Sequence, residues 1–236
     1  MQKQGFLVLF ILAVMWIHPV HAQRFKVGLS GGVNITDVDG MDPIDADNDF
    51  KKFGFTAGGF VSTHIGDKTI IQMEIAYSQK GSHIPPDTLH TNAYYTLRLD
   101  YVEVNLLFRH TIHLNLSKKP TDKFALEGGL SAGYMFHYYF TVQSIYYPLS
   151  LNTTDASAFV GFSYNFTPGF CIDLRYYNSF TPLIPHNTTN TQFLYHNSWT
   201  LDHNLCFQIT FKYTFGAGGS PPGTNSTIPP AENHGS

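Results

Sequence analysis

The chain is poor in charge, in cysteine and in long apolar runs, and each shortage removes a class of protein. Only 13% of its 236 residues are Asp, Glu, Lys or Arg, little to keep the surface of an ordinary water-soluble domain solvated. Two cysteines, Cys171 and Cys206, are too few for a disulfide-stapled secreted scaffold. A formal net charge of −3 with no basic run argues against nucleic acid as a partner. Past Ile17 no apolar stretch approaches the roughly 18 residues of a spanning helix, which excludes a helical membrane protein. No zinc motif, phosphate loop or nucleophile elbow occurs. The sequence therefore predicts no enzyme, no catalytic residue, no metal site and no cofactor.

What is plentiful is aromatic. Twenty Phe and 14 Tyr raise the aromatic share to 15%, an excess that the interface girdles of a transmembrane β-barrel absorb. The chain opens with Met1-Gln-Lys-Gln4, an apolar run from Phe6 to Ile17 and then Val20-His-Ala22. That order reads as a secretory signal peptide over residues 1–22, cleaved after Ala22. The apolar run is too short to anchor the chain across a bilayer.

From Arg24 onward hydrophobicity repeats every second residue. Phe25, Val27, Leu29, Val33 and Ile35 share one parity; Arg24, Lys26, Ser30, Asn34 and Thr36 take the other. Period two over a dozen residues is a strand with one apolar and one polar face, long enough to cross a membrane at a tilt. Similar segments run about 53–65 (interrupted by Phe60), 71–80, 94–110, 124–138, 158–164, 170–176 and 201–215. Within 94–110 the pattern shifts parity near Tyr101-Val102, which a bulge would produce. Eight strands result.

Their connections alternate. Gly66-Asp-Lys68 and Thr167-Pro-Gly169 are tight turns, whereas 37–52, 81–93, 141–155 and 181–198 are long and polar; the turn near 113–122 is of intermediate length. An even strand count with alternating short turns and long loops predicts an all-β fold. It is an eight-stranded antiparallel transmembrane barrel over 23–215, short turns periplasmic and long loops extracellular. The apolar face is predicted to meet lipid, because Tyr77, Tyr138, Tyr176, Trp199, Tyr213 and Phe215 collect near strand ends, where girdles belong. Residues 216–236, rich in Gly, Pro, Ser and Thr, lack apolar material to pack and read as a disordered tail.

Five segments carry a family resemblance: Phe25-Lys-Val-Gly-Leu-Ser-Gly-Gly-Val-Asn34, Tyr101-Val-Glu-Val-Asn-Leu-Leu-Phe-Arg109, Leu126-Glu-Gly-Gly-Leu-Ser-Ala-Gly-Tyr134, Cys171-Ile-Asp-Leu-Arg-Tyr176 and Phe211-Lys-Tyr-Thr-Phe215. In their order and spacing they resemble the PorT-like small outer-membrane β-barrel family. Two departures are Asn105, where the family pattern usually has proline, and the tail beyond the last aromatic. The resemblance implies an eight-stranded barrel in the cell outer membrane of a Gram-negative bacterium. It implies envelope or secretion proteins as partners beside the lipid, and carries over no catalytic residue.

The candidate site is the lumen. Arg24, Lys26, Glu74, Glu103, Arg109, Glu127, Asp173, Arg175 and Lys212 fall on the polar parity. An eight-stranded barrel is only wide enough for its own side chains, so these charges are expected to form an internal network that fills it. Function then rests with the extracellular loops or with an accessory role in the envelope or secretion. The alternative is a channel or transporter for a small solute. Six aspartates, Asp37, Asp39, Asp42, Asp45, Asp47 and Asp49, offer oxygen ligands of the kind calcium takes. The EF-hand pattern fails at Phe50, and a solvated acidic loop is the simpler reading. Loop histidines (His83, His90, His186, His196, with His137 and His203 near the rim) show no ligand-pair spacing. Setting Phe170 level with Phe215 places Cys171 near Thr214 and Cys206 near Ser179, too far apart for a disulfide.

Overall fold

The computed structural model describes residues 25–39, 50–85, 94–114, 121–185 and 203–216. Among the described residues nine strands form: β1 (Lys26–Val38), β2 (Lys52–His64), β3 (Thr69–Ile84), β4 (Tyr95–Leu114), β5 (Thr121–Val142), β6 (Ile145–Tyr146), β7 (Thr154–Thr167), β8 (Phe170–Ser179) and β9 (Asn204–Thr214). All pairings are antiparallel in the order β4-β3-β2-β1-β9-β8-β7-β5, and β4 pairs β5 to close a ring of eight. The two-residue β6 is a flap on the end of β5. The first strand meets the last, from Gly28↔Thr214 to Val38↔Asn204. Hydrocarbon forces this closure, since an unpaired amide or carbonyl there costs several kcal/mol.

The tight turns sit where the sequence puts them. Ile65 and Gly66 both donate their amides to Thr69 O, at 3.0 and 3.3 Å, and Gly169 turns with a φ of 96° that a β-carbon would oppose. In barrels of this class the short-turn end is periplasmic.

Around the ring the apolar parity points outward. Leu130 and Val160 are 61% and 65% exposed, and Val27, Phe55, Ile75, Leu106 and Phe211 lie exposed with them, a continuous apolar band that suits a lipid-facing wall. The polar parity is enclosed: Asn34, Gln72, Glu74, Asn105, Asp173 and Gln208 are all buried. Phe60, which interrupts the alternation of β2, keeps the inward parity and is buried, its ring 5.6 Å from Lys212 Nζ.

Strands β3, β4 and β5 run on together past the points where β2 and β7 stop pairing with them. The β2–β3 register ends at Thr56↔Ser78 and the β5–β7 register at Tyr134↔Thr154. Above those levels, among the described residues, β3 from Gln79 to Ile84 pairs only β4, and β4 from Tyr95 to Asp100 continues to pair β5. On β4 the chemistry of the two faces exchanges in this extension. Tyr95, Leu97, Leu99 and Phe140 point inward and join Val38, Ile84 and Leu183 in a buried apolar cluster. The alternate positions, Thr96 and Arg98, face out.

This corrects the expected parity shift on β4. Odd-numbered residues of β4 point inward without interruption from Tyr95 to Leu107. The slip lies on β5: Asp100 pairs His137 while Tyr101 pairs Met135, so Phe136 is the extra residue of a β-bulge. Beyond it Tyr138 packs against the inner cluster, where the sequence placed it in the lipid girdle. His137, expected near the lumen, turns outward and is exposed.

Candidate functional site: the filled lumen

Strand parity brings six charges to one level in the short-turn half. Arg175 on β8 reaches across the lumen to Glu74 on β3 (2.8 Å from Nη1, 2.9 Å from Nη2) and to Glu127 on β5 (2.8 Å from Nε). It also lies 3.3 Å from Asp173 on its own strand. Its path is open because its β7 partner is Gly161, where a β-carbon would lie 2.8 Å from Arg175 Cγ. Lys212 on β9 pairs with Glu74 and, at 2.6 Å, with Asp173. Arg109 on β4 pairs with Glu127 and, at 3.0 Å, with Asp173. Three cations thus face three carboxylates, with Glu74, Glu127, Asp173, Arg175 and Lys212 buried. Burying six charges is tolerable only because each is paired and hydrogen-bonded; removing one partner of such a pair costs about 3–5 kcal/mol.

A second group lies one step toward the long-loop end. Lys80 Nζ sits 2.6 Å from Glu103 and 3.1 Å from Asp155, between the rings of Tyr101 and Tyr177 at 5.4 and 5.7 Å. Asp155 also accepts from the Ser179 hydroxyl. Tyr177 joins the two levels: its hydroxyl accepts from Arg175 Nη1 (3.3 Å) and donates to Gln208 Oε1 (3.3 Å), and its ring stacks on Phe159 at 4.6 Å.

Of the nine charges expected in the lumen, Glu74, Arg109, Glu127, Asp173, Arg175 and Lys212 meet in the first group, and Glu103 belongs to the second. Lys26 does not join them. It is exposed at the short-turn mouth, where the barrel ends and water replaces the lumen as its surroundings. There it borders a cavity of about 180 Å³ with His64, Arg109 and Cys171. Arg24 lies outside the described residues. Lys80 and Asp155 were missed as charges of the network. Lys80 shares the parity of Gln72 and Glu74, a usable signal, whereas Asp155 sits at the head of β7 in what reads as a loop.

The other candidate groups disperse. Asp37 Oδ1 accepts from Ser82 Oγ at 2.7 Å and from Val38 N at 2.8 Å; Asp42, Asp45, Asp47 and Asp49 lie outside the described residues. His83 Nδ1 is 2.9 Å from Thr96 Oγ1 and His137 Nδ1 is 3.0 Å from Asp100, while His90, His186 and His196 are not described. Among the described residues no group of three His, Cys, Asp or Glu is placed to hold a metal ion. Cys171 and Cys206 are buried free thiols. Their register neighbours are Lys212 and Tyr177, two residues from those expected, because the turn sets Phe170 beside Tyr213. The separation from 171 to 177 along β8 is still about 20 Å at roughly 3.4 Å per residue, against about 7 Å for a disulfide.

The sequence profile of the outer membrane protein beta-barrel domain matches residues 18–185; β9, which completes the ring, lies beyond that match. No curated protein matches the chain. Among solved structures, the attachment invasion locus protein Ail of Yersinia pestis is similar at 15% identity, covering 80% of this chain and 98% of its own, with a TM-score of 0.48. Neisserial surface protein A is similar at 10% identity (81% and 97% covered, TM-score 0.45). The outer membrane protein OprG of Pseudomonas aeruginosa is similar at 12% identity (82% and 97% covered, TM-score 0.39). With its closed ring of eight strands and lipid-facing apolar wall, the chain belongs to the outer membrane protein beta-barrel domain family and resides in the outer membrane.

Proposed function

We propose that the barrel is a non-enzymatic scaffold that passes no solute. It acts through its long-loop end, as an accessory of the envelope or of secretion. The observation that carries this reading is Arg175, which ties β3, β5 and β8 together across the lumen. An eight-stranded ring leaves room for little beside its own side chains, and here those side chains are charges neutralised in place. With the centre filled, the surfaces left for partners are the outer extension and the connections around it. The finer assignments go with this reading: a signal peptide removed at Ala22, a Gram-negative envelope, kinship with PorT-like barrels, and envelope or secretion proteins as partners rather than nucleic acid.

A second reading, a pathway for a small solute, draws on a seam of small polar side chains. The hydroxyls of Ser131, Ser157 and Ser163 and the carbonyl of Asn105 are buried without a protein hydrogen-bond partner among the described residues. Planar-bilayer recording separates the readings. The scaffold is expected to show almost no conductance, and stable unitary currents from the purified full-length chain would replace it with the pathway.

A further inference from the structure

Where β7 stops pairing with β5 at Tyr134↔Thr154, β5 continues for another eight residues to Val142. The chain returning from β6 is pinned at three places to the edge that β7 leaves. Tyr147 N donates to Phe140 O (3.1 Å) and Met135 N donates to Thr153 O (2.6 Å). Between them the Tyr138 hydroxyl donates to Leu149 O (2.8 Å) and accepts from Leu149 N (3.1 Å). Elsewhere strand and returning segment part, leaving a groove of about 450 Å³ walled by Tyr134, Phe136, His137, Tyr138, Leu149 and Leu151. That volume is in the range of a small-molecule site.

Its position restricts what can fill it. Tyr134 and Phe136 belong to the outward apolar wall and are more than half exposed, so the groove opens toward lipid. Directly beside it the outer face turns polar. Asp100 accepts from Tyr77 OH (2.7 Å), Arg98 Nε (3.0 Å) and Gln79 Nε2 (3.3 Å), and lies 3.0 Å from His137 Nδ1. The Arg98 and His137 side chains remain 43% and 56% exposed. One guanidinium and one imidazole therefore meet at one carboxylate, beside the outward-facing Tyr134 and Phe136. An apolar slot beside an exposed guanidinium and imidazole, with donors to spare after Asp100, complements an amphiphile with an anionic head.

We propose that this groove binds a phosphorylated lipid of the outer leaflet, one acyl chain lying between Phe136 and Leu151 and the phosphate resting on Arg98 and His137. The inference needs only the barrel's place in the membrane and is independent of whether the lumen conducts.

The test uses the full-length chain in phosphatidylcholine nanodiscs doped with bisphosphorylated lipid A, with its dephosphorylated form, or with inorganic phosphate alone, read by native mass spectrometry. One lipid A per barrel is expected to survive delipidation, and loss of its phosphates should weaken retention about tenfold or more, the scale of a charge-assisted contact. Arg98→Gln with His137→Gln should lower retention similarly, and Leu151→Trp should block both lipid forms by filling the slot. Heat-modifiable mobility monitors folding in every variant. Equal retention of the dephosphorylated lipid, undiminished binding by folded variants, or saturation of the site by inorganic phosphate alone overturns the proposal, as does a peptide found along the β5 edge.

Discussion

The ring and the extension beyond it share strand β4, which carries opposite chemistry in the two regions. In the ring Glu103, Asn105 and Arg109 of β4 point inward and Val102, Val104, Leu106 and Phe108 outward; above it Tyr95, Leu97 and Leu99 point inward and Thr96 and Arg98 outward. Both arrangements follow one rule applied to two solvents. Hydrocarbon takes apolar side chains on the outside and leaves the polar ones to neutralise one another within. Water reverses the assignment, and the extension is held as a soluble domain is held, by buried apolar contact. The two regions should therefore fail differently when damaged.

The largest loss is expected in the ring. Arg175→Met takes away the shared partner of Glu74, Glu127 and Asp173 while keeping most of the side-chain bulk. About 3–5 kcal/mol of stability should go with it, the cost of leaving buried charge unpaired. Urea unfolding from lipid vesicles measures this. A neutral result would mean that the lumen is wet enough to solvate the three carboxylates and that the filled-scaffold reading is wrong.

Strand count, closure and the inward charges of the ring were legible because alternation there sets charge against hydrocarbon, the strongest contrast a sequence holds. The extension was not, for a reason visible in β4. Alternation reports polar against apolar, and converting that to inside against outside requires knowing the solvent. When Leu97 and Leu99 gave way to Val102 and Val104 the parity of apolar residues changed, and a bulge on β4 looked necessary. The strand in fact keeps one parity from Tyr95 to Leu107, and the bulge sits on the neighbouring strand at Phe136. The same blindness hid Asp155, which opens β7 among residues that resemble a loop, and left Lys80 out of the network although its parity matched Glu74.

Damage to the extension should stay local. Leu97 is fully buried in the apolar cluster, and Leu97→Ala is expected to cost about 2–5 kcal/mol in that cluster. Hydrogen exchange should rise in 79–84, 95–100 and 137–142 while membrane insertion and ring protection are unchanged. Global unfolding of this variant would show that ring and extension form one cooperative unit.

The facing assignment is tested more directly at two adjacent residues of β5. Leu130 faces lipid and Ser131 is buried in the lumen. Leu130→Arg should cost about 2–4 kcal/mol near the midplane, and less toward either interface. The comparison is with Thr96→Arg, on the same outward side but above the membrane, which should cost almost nothing in the same vesicle-folding assay. Equal penalties at the two positions would place Thr96 in hydrocarbon and erase the boundary between the regions.

The smallest effect concerns Asp100, at that boundary. Burial alone would raise the pKa of its carboxyl, but hydrogen bonds from Arg98, Tyr77, Gln79 and His137 outweigh burial and hold it below the ordinary aspartate value. A carboxyl whose folded value is depressed contributes stability that is complete above its unfolded value, about 3.9. That contribution fades as pH falls through the folded value. With Arg98 and His137 exposed, the amount is that of a surface ion pair, about 0–1 kcal/mol. Acidification below pH of about 4 should therefore loosen residues 79–84 and 95–100 slightly in hydrogen exchange, and Asp100→Asn should remove that pH dependence and leave the ring unaffected. If Asp100→Asn instead loosens the ring as much as the extension, the cluster is a structural part of the membrane wall, and the change of solvent must be drawn higher on β4.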